Sequence, residues 1–206
     1  IENGIDLSGW VKKRDCILPG NRKNKKLVYI GRFAEMKNIV SLLKADIPEG
    51  LDVVFIGGNR GSSPELQDMV IEHSRARGDV YYAGSEYGQE KIDMLMAADA
   101  VIVPSTHEPF GIVALEALAS KSILLSSFVG GMGDFLNEDV AINCGITPET
   151  ISAGLNKFMA LNGSDINERI KGGLEICKKY SWKTQSEKLD NVYNFILEKK
   201  NVSKSN

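Results

Sequence analysis

Histidine, cysteine and proline are scarce in this chain of 206 residues, and each scarcity removes a class of protein. Two histidines, His73 and His107, and three cysteines, Cys16, Cys144 and Cys177, form no CxxC and no close His–Cys grouping, so no metal centre is expected. An odd number of widely spaced cysteines builds no disulfide framework, and reduced thiols fit a cytoplasmic protein. Six prolines, with 43% hydrophobic and 25% charged residues, give the composition of an ordinary globular chain rather than a disordered one. No apolar run approaches the ~18 residues that span a bilayer, so no transmembrane segment is expected. Neither charge dominates: 25 basic against 27 acidic residues leave a net charge of -2. That excludes a general nucleic-acid binder, which carries a basic excess, but leaves room for a local phosphate pocket. The chain opens on Ile1 rather than Met, with no charged-then-apolar leader, as expected of a piece of a longer chain.

What is present is a rhythm. After a loop-like lead-in with the basic cluster Arg22, Lys23, Lys25 and Lys26, short apolar runs alternate with helical patterns. Runs at Leu27–Ile30, Leu51–Ile56, Asp79–Ala83, Ala100–Val103 and Ser122–Ser126 read as strands, with a sixth at Val140–Asn143. Helical spacing falls at Lys37–Asp46, Pro64–Arg77, Gln89–Ala98 and Gly111–Ser120, and three helices close the chain, near Pro148–Leu161, Asn167–Lys179 and 182–199. Strands alternating with helices specify an α/β fold, a doubly wound Rossmann-like parallel sheet with helices on both faces and a helical C-terminus. One domain over 1–206 is expected, with 1–26 as lead-in and 180–199 as the terminal helix.

Such sheets bind ligands at the carboxyl ends of their strands, so the loops there carry the search. Gly31-Arg32 follows the first strand and Lys37 opens the next helix. An Arg fork and a Lys charge at a helix start make a phosphate site, or two ordinary surface cations. Gly57-Gly58-Asn59 and Gly61 lack the spacing of the dinucleotide fingerprint and read as a turn, which argues against a nicotinamide oxidoreductase. Gly130-Gly131-Met132-Gly133-Asp134 is an anion-binding nest or a flexible loop.

The segment from Pro104 to Leu118 is the most informative. Glu108 precedes a helix in which Glu116 is the only polar side chain between Gly111 and Ala119. A helix without a charged face is buried nearly all round, and a buried carboxylate needs partners. Sugar hydroxyls, an internal Arg or backbone donors would supply them, or the helix presents one exposed edge. A rise of ~1.5 Å per residue puts the two glutamates roughly 10 Å apart. That exceeds both the ~5–5.5 Å of retaining and the ~6.5–9.5 Å of inverting hydrolases, so they read as separate contacts along one extended ligand. His107 is read as a loop residue bonded to backbone, with a catalytic base as the alternative. Phosphates plus hydroxyls, as in a nucleotide sugar, use all these groups at once.

Glu108 and Glu116 with Pro109-Phe110-Gly111 between them resemble the E-x7-E motif of retaining glycosyltransferases with two Rossmann-like domains (the GT-B type). Asn3-Gly4-Ile5-Asp6 resembles the segment joining those domains. Gly31-Arg32-Phe33 with Lys37 resembles the donor-phosphate pair, and Gly130-Gly131-Met132 the family's G-G-L loop. The spacing is most similar to glycogen and starch synthases, with sucrose-synthase-like, mannosyl- and other glucosyltransferases close behind. The resemblance implies a C-terminal, donor-binding half that takes ADP- or UDP-glucose and passes glucose to an α-glucan or other sugar acceptor. Arg32 and Lys37 would hold the diphosphate, and Glu108 the sugar hydroxyls; these are the catalytic residues it implies. Glu116 would hold the ribose, with Gly31, Phe110, Gly111, Ile112, Val113, Gly130, Gly131 and Met132 lining the substrate, Tyr87 near the base, and no cofactor or metal. The acceptor would be held by an amino-terminal domain preceding Ile1, leaving this half nearly inactive alone. A donor domain of another retaining hexosyltransferase and a stand-alone nucleotide-binding module are the alternatives. Val129 stands where the synthases usually have Thr, and Asn38 where they have Gly.

Overall fold

The computed structural model describes residues 2–11, 14–58 and 61–202; Ile1, residues 12–13 of the expected lead-in, Asn59 with residue 60, and residues 203–206 lie outside the described residues. Strands β1 (Lys25–Gly31), β2 (Leu51–Gly57), β3 (Val80–Tyr82), β4 (Ala100–Val103), β5 (Ile123–Ser126) and β6 (Ala141–Asn143) form one parallel sheet in the order β3-β2-β1-β4-β5-β6. Their continuous Val/Ile/Leu runs are the mark of strands covered on both faces. Register aligns Val28 with Val54 and Val101, so side chains from neighbouring strands enter a core together. Alternate residues then feed two cores. Val28, Val54, Val101 and Leu124 meet α3 (Gly88–Met96) and α4 (Ile112–Ala119), whereas Leu27, Val53, Ala100 and Ile123 meet α1 (Ile39–Lys44), α2 (Pro64–Ala76) and α5 (Pro148–Met159). Helix α6 (Gly163–Lys179) touches both, through Cys177 in the first and Ile170 against the second. The doubly wound sheet with its helical C-terminus, α7 (Trp182–Val202), is therefore the architecture expected from the periodicity.

Boundaries moved where local chemistry intervened. The helix expected from Lys37 starts at Ile39, because Asn38 adopts a left-handed conformation (φ 57°) and Glu35–Lys37 winds as a separate 3-10 turn. Helix α6 begins at Gly163 rather than near Asn167. Asn162 accepts hydrogen bonds from the Ser164 and Asp165 N–H groups, and the Asp165 carboxylate accepts one from the Asn162 N–H. That reciprocal cap is written in the sequence as Asn followed three residues later by an acid.

Two features frame the site from outside. Ile5 pairs with Ser181 and exchanges backbone bonds with Tyr180 and Trp182, tying the lead-in to the start of α7. Beyond that anchor α7 exposes Leu189, Val192, Tyr193, Ile196 and Leu197. No helix among the described residues is long and apolar enough to cross a membrane.

Between α2 and β3 the Arg77 fork donates two bonds of 2.8 Å to Asp79 and a third to the Leu43 carbonyl. The guanidinium's hydrogen bonds hold the Asp79 carboxyl below the usual carboxylate range, against partial burial. A lowered folded pKa contributes stability above the unfolded value and loses it as pH falls through the folded one. Asp79→Asn should therefore cost at most ~1 kcal/mol at pH 7, the pair being partly exposed, and flatten the stability profile below about pH 4. Urea unfolding from pH 2 to pH 7 checks both.

Candidate functional site

Sheet order reverses between β1 and β4, and the crevice above that switch point is where an open α/β sheet takes a ligand. A cavity of about 220 Å³ opens there, lined among others by Gly31, Arg32, Tyr87, Lys91, Val113 and Glu116. Gly31 ends β1 at φ 149°, a turn that L side chains rarely adopt, and Arg32 follows it exposed, with no ion pair among the described residues. Tyr29 lies two residues back inside the strand. Its buried hydroxyl donates to the Arg32 carbonyl at 2.9 Å and so fixes the first step of the loop. Burial first, then the charge of Glu108, pushes the Tyr29 phenol well above its ordinary range, so it stays a donor.

The two glutamates occupy separate ion pairs. Lys37 Nζ lies 2.5 Å from Glu108 Oε2, both side chains mostly buried. Lys91 Nζ lies 2.5 Å from Glu116 Oε1 at the cavity wall. The partner of Glu116 is thus a lysine on α3 rather than an internal arginine. Nothing in the primary order of Lys91 signals this, because the contact spans 25 residues. Both pairs leave work undone: an ammonium has three donors and a carboxylate about four acceptor positions, so each can bond a ligand as well.

Gly111 (φ 97°) precedes helix α4 and offers it no side-chain cap, which leaves the N–H groups of Ile112 and Val113 to an anion. Ile112 is exposed and Val113 lines the cavity. The glycine loop takes a compact form. Gly130–Asp134 winds as a 3-10 turn, and the Gly131 N–H donates to the Glu108 carbonyl at 3.1 Å. Glycine is required because a Cβ at 130 or 131 would strike the backbone of Glu108 or of Pro109 and Phe110. Its role in the structure is to pack loop on loop beneath Glu108. Met132 is fully buried, its sulfur accepting from the Ser126 hydroxyl at 3.3 Å, so its side chain belongs to the core. The Phe110 ring packs against Phe135 and Tyr180, leaving its backbone to face any ligand role. Tyr87 is exposed at the cavity rim and His107 on the loop surface.

The family model described as "Glycosyl transferases group 1" matches residues 16–173. An uncharacterized glycosyltransferase of Methanocaldococcus jannaschii is 29% identical over 186 residues, covering 84% of this chain and 46% of the relative. A glycogen synthase of Mycobacterium tuberculosis is 30% identical over 151 residues, covering 70% of this chain and 35% of the relative. Among solved structures, Anabaena HepE in complex with UDP matches at TM-score 0.76 and 14% identity, over 94% of this chain and 56% of that one, a likeness of fold. The chain spans about half or less of the length of the curated relatives it matches.

Proposed function

The chain belongs to the group 1 glycosyl transferases, and we propose that it is the donor-binding half of a retaining hexosyltransferase that moves glucose from ADP- or UDP-glucose to an α-glucan or similar acceptor. The observation that carries this reading is one cavity lined by Arg32, by Val113 at the uncapped start of α4 and by the Lys91–Glu116 pair, with the Lys37–Glu108 pair joining the loops that leave β1 and β4. Structures of HepE in complex with UDP and with UDP-glucose support a nucleotide-sugar donor.

In this reading the bond between the anomeric carbon and the diphosphate oxygen breaks with its electrons leaving on the phosphate. Arg32, the two remaining Lys37 donors and the N–H groups of Ile112 and Val113 offset that charge as it develops, which is electrostatic catalysis by groups already in place. Glu108 accepts from sugar hydroxyls through the oxygen that Lys37 leaves open, and Glu116 does the same for the ribose. An acceptor hydroxyl held by the other half of the intact protein forms the new bond to the anomeric carbon, and its proton passes to the departing phosphate. A cavity of about 220 Å³ is smaller than the ~300–1,000 Å³ of a complete small-molecule site, which supports closure by a second wall. The apolar stripe along α7 supplies a surface for that half. Three cysteines set far apart in the sequence support a reading of the protein as cytoplasmic.

Thermal-shift titration of the intact protein with ADP, UDP, GDP and NADH tests the reading. A nucleoside diphosphate at 100 times its dissociation constant adds ~2.7 kcal/mol, enough to raise the thermal midpoint by several degrees. Arg32→Ala should abolish most of the rise. A rise with NADH alone, or none with any diphosphate, would overturn the assignment.

A further inference from the structure

Asn38 stands at the start of α1 and does not cap it. An asparagine there ordinarily turns its side-chain oxygen back onto the N–H two or three residues on. Here the residue is left-handed (φ 57°, ψ 36°) and makes no such bond. Its side-chain amide instead donates to the Pro104 carbonyl at 3.0 Å and to the Ile146 carbonyl at 2.7 Å. Those two oxygens follow the last residues of β4 and β6, where the sheet no longer provides donors, so each needs one from elsewhere. One side chain thus joins the loops that leave three strands at the same edge of the sheet.

The bonds on either side of it follow the same seam. The Thr106 N–H donates to the Met36 carbonyl at 2.9 Å, and Lys37 meets Glu108 at 2.5 Å. Met36, Lys37 and Asn38 are consecutive, and each is fastened to the segment 104–108. The backbone bond and the ion pair lie on one side of Asn38, and only the Asn38 amide also reaches a third loop, at Ile146. The head of the loop is tied separately, where the Phe33 N–H donates to the Ser62 hydroxyl and the Phe33 carbonyl accepts from Ser63, so the Asn38 amide is the side-chain tie next to Lys37 on the helix side.

We infer that Asn38 is a positioning residue: its amide clamps the β1 loop to the β4 loop and thereby sets where the Lys37 cation and the Glu108 carboxylate meet the donor. The inference rests on the donor-site reading proposed above. The chemistry of the position is narrow. Glycine adopts the left-handed conformation freely but has no amide. Aspartate tolerates it as well, yet would set a carboxylate against two carbonyl oxygens and donate nothing. The two substitutions therefore preserve the turn and remove the clamp by different routes.

The experiment compares N38G, N38D, K37A and the unaltered intact enzyme by steady-state transfer from UDP-glucose or ADP-glucose, whichever the enzyme takes, with thermal midpoints measured in parallel. A misplacement of about 1 Å can cost a reaction roughly a hundredfold. For N38G we expect kcat at least about tenfold lower, because Lys37 acts on charge that develops only in the transition state. Its KM for the donor should stay within about threefold and its midpoint near that of the parent. N38D should lose at least as much kcat. A purely structural asparagine would instead lower the midpoint and leave kcat per folded molecule unchanged, and that result overturns the clamp. If K37A is crippled while N38G matches the parent, the clamp alone fails. If K37A also matches the parent, the assignment of Lys37 fails and takes the clamp with it.

Discussion

Glu108→Ala in the intact protein should lower kcat for sugar transfer by roughly 10²–10³-fold, with the protein still folded. Two losses combine at that position. The carboxylate oxygen proposed for the sugar hydroxyls disappears, and Lys37 loses the partner 2.5 Å away that holds its ammonium at the crevice. The variant should fold with a lowered midpoint: Lys37 loses its counter-ion, but the Glu108 carbonyl still accepts the Gly131 N–H, and that bond survives in alanine. Glu108→Gln separates the two losses. It keeps the shape and an acceptor for a hydroxyl but removes the charge facing Lys37, so its rate should fall between those of the parent and the alanine variant. Transfer assays on both, with thermal midpoints as the folding control, decide the matter. Parental kcat in Glu108→Ala would remove Glu108 from the mechanism.

The fold was open to reading because its signal is local and redundant. Each buried strand is a short apolar run bounded by turn residues, and the longer helices repeat their spacing over several turns, so the differences lie at the ends. Candidate residues at the strand ends followed from the same logic, since only loops after strands reach the crevice. What escaped was long-range. Lys91 meets Glu116 from another helix, and the Asn38 amide reaches Ile146 across 108 positions, which no local pattern encodes. The glycines at 130 and 131 show a different difficulty: a nest for an anion and a close approach of two backbones demand the same residue. Tyr29 was detectable in principle. A tyrosine within the otherwise aliphatic run Leu27–Ile30 has a hydroxyl that must find a partner, and it finds the Arg32 carbonyl.

At the opposite edge of the sheet, Asp52→Ala should cost about 3–5 kcal/mol of stability, because it leaves a charge buried without its counter-ion. Asp52 is the second residue of β2, with no exposure at all. Its carboxylate accepts from Lys26 Nζ at 2.5 Å, from the Asn21 N–H at 2.7 Å and from the Asn24 amide at 2.8 Å, and Gly20 packs directly against it. Truncation strips all three donors of their acceptor and leaves the Lys26 ammonium, its side chain 11% exposed, with the Asn21 carbonyl at 2.6 Å as its remaining partner. At ~2–4 °C per kcal/mol the thermal midpoint should fall by roughly 6–20 °C. Replacing both members of the pair by apolar residues, as in Lys26→Met with Asp52→Leu, should recover part of that loss, since no unpaired charge then remains; the Asn21 and Asn24 donors still lose their acceptor. A double variant no more stable than Asp52→Ala would mean that the asparagine bonds, rather than the ion pair, dominate the cost. Because β1 and β2 carry this cluster at one end and Gly31 and Gly57 at the other, the variants also test whether the sheet transmits damage to the crevice. A packed parallel sheet that remains folded should not, so transfer per folded molecule at 25 °C should match the parent while the midpoint falls.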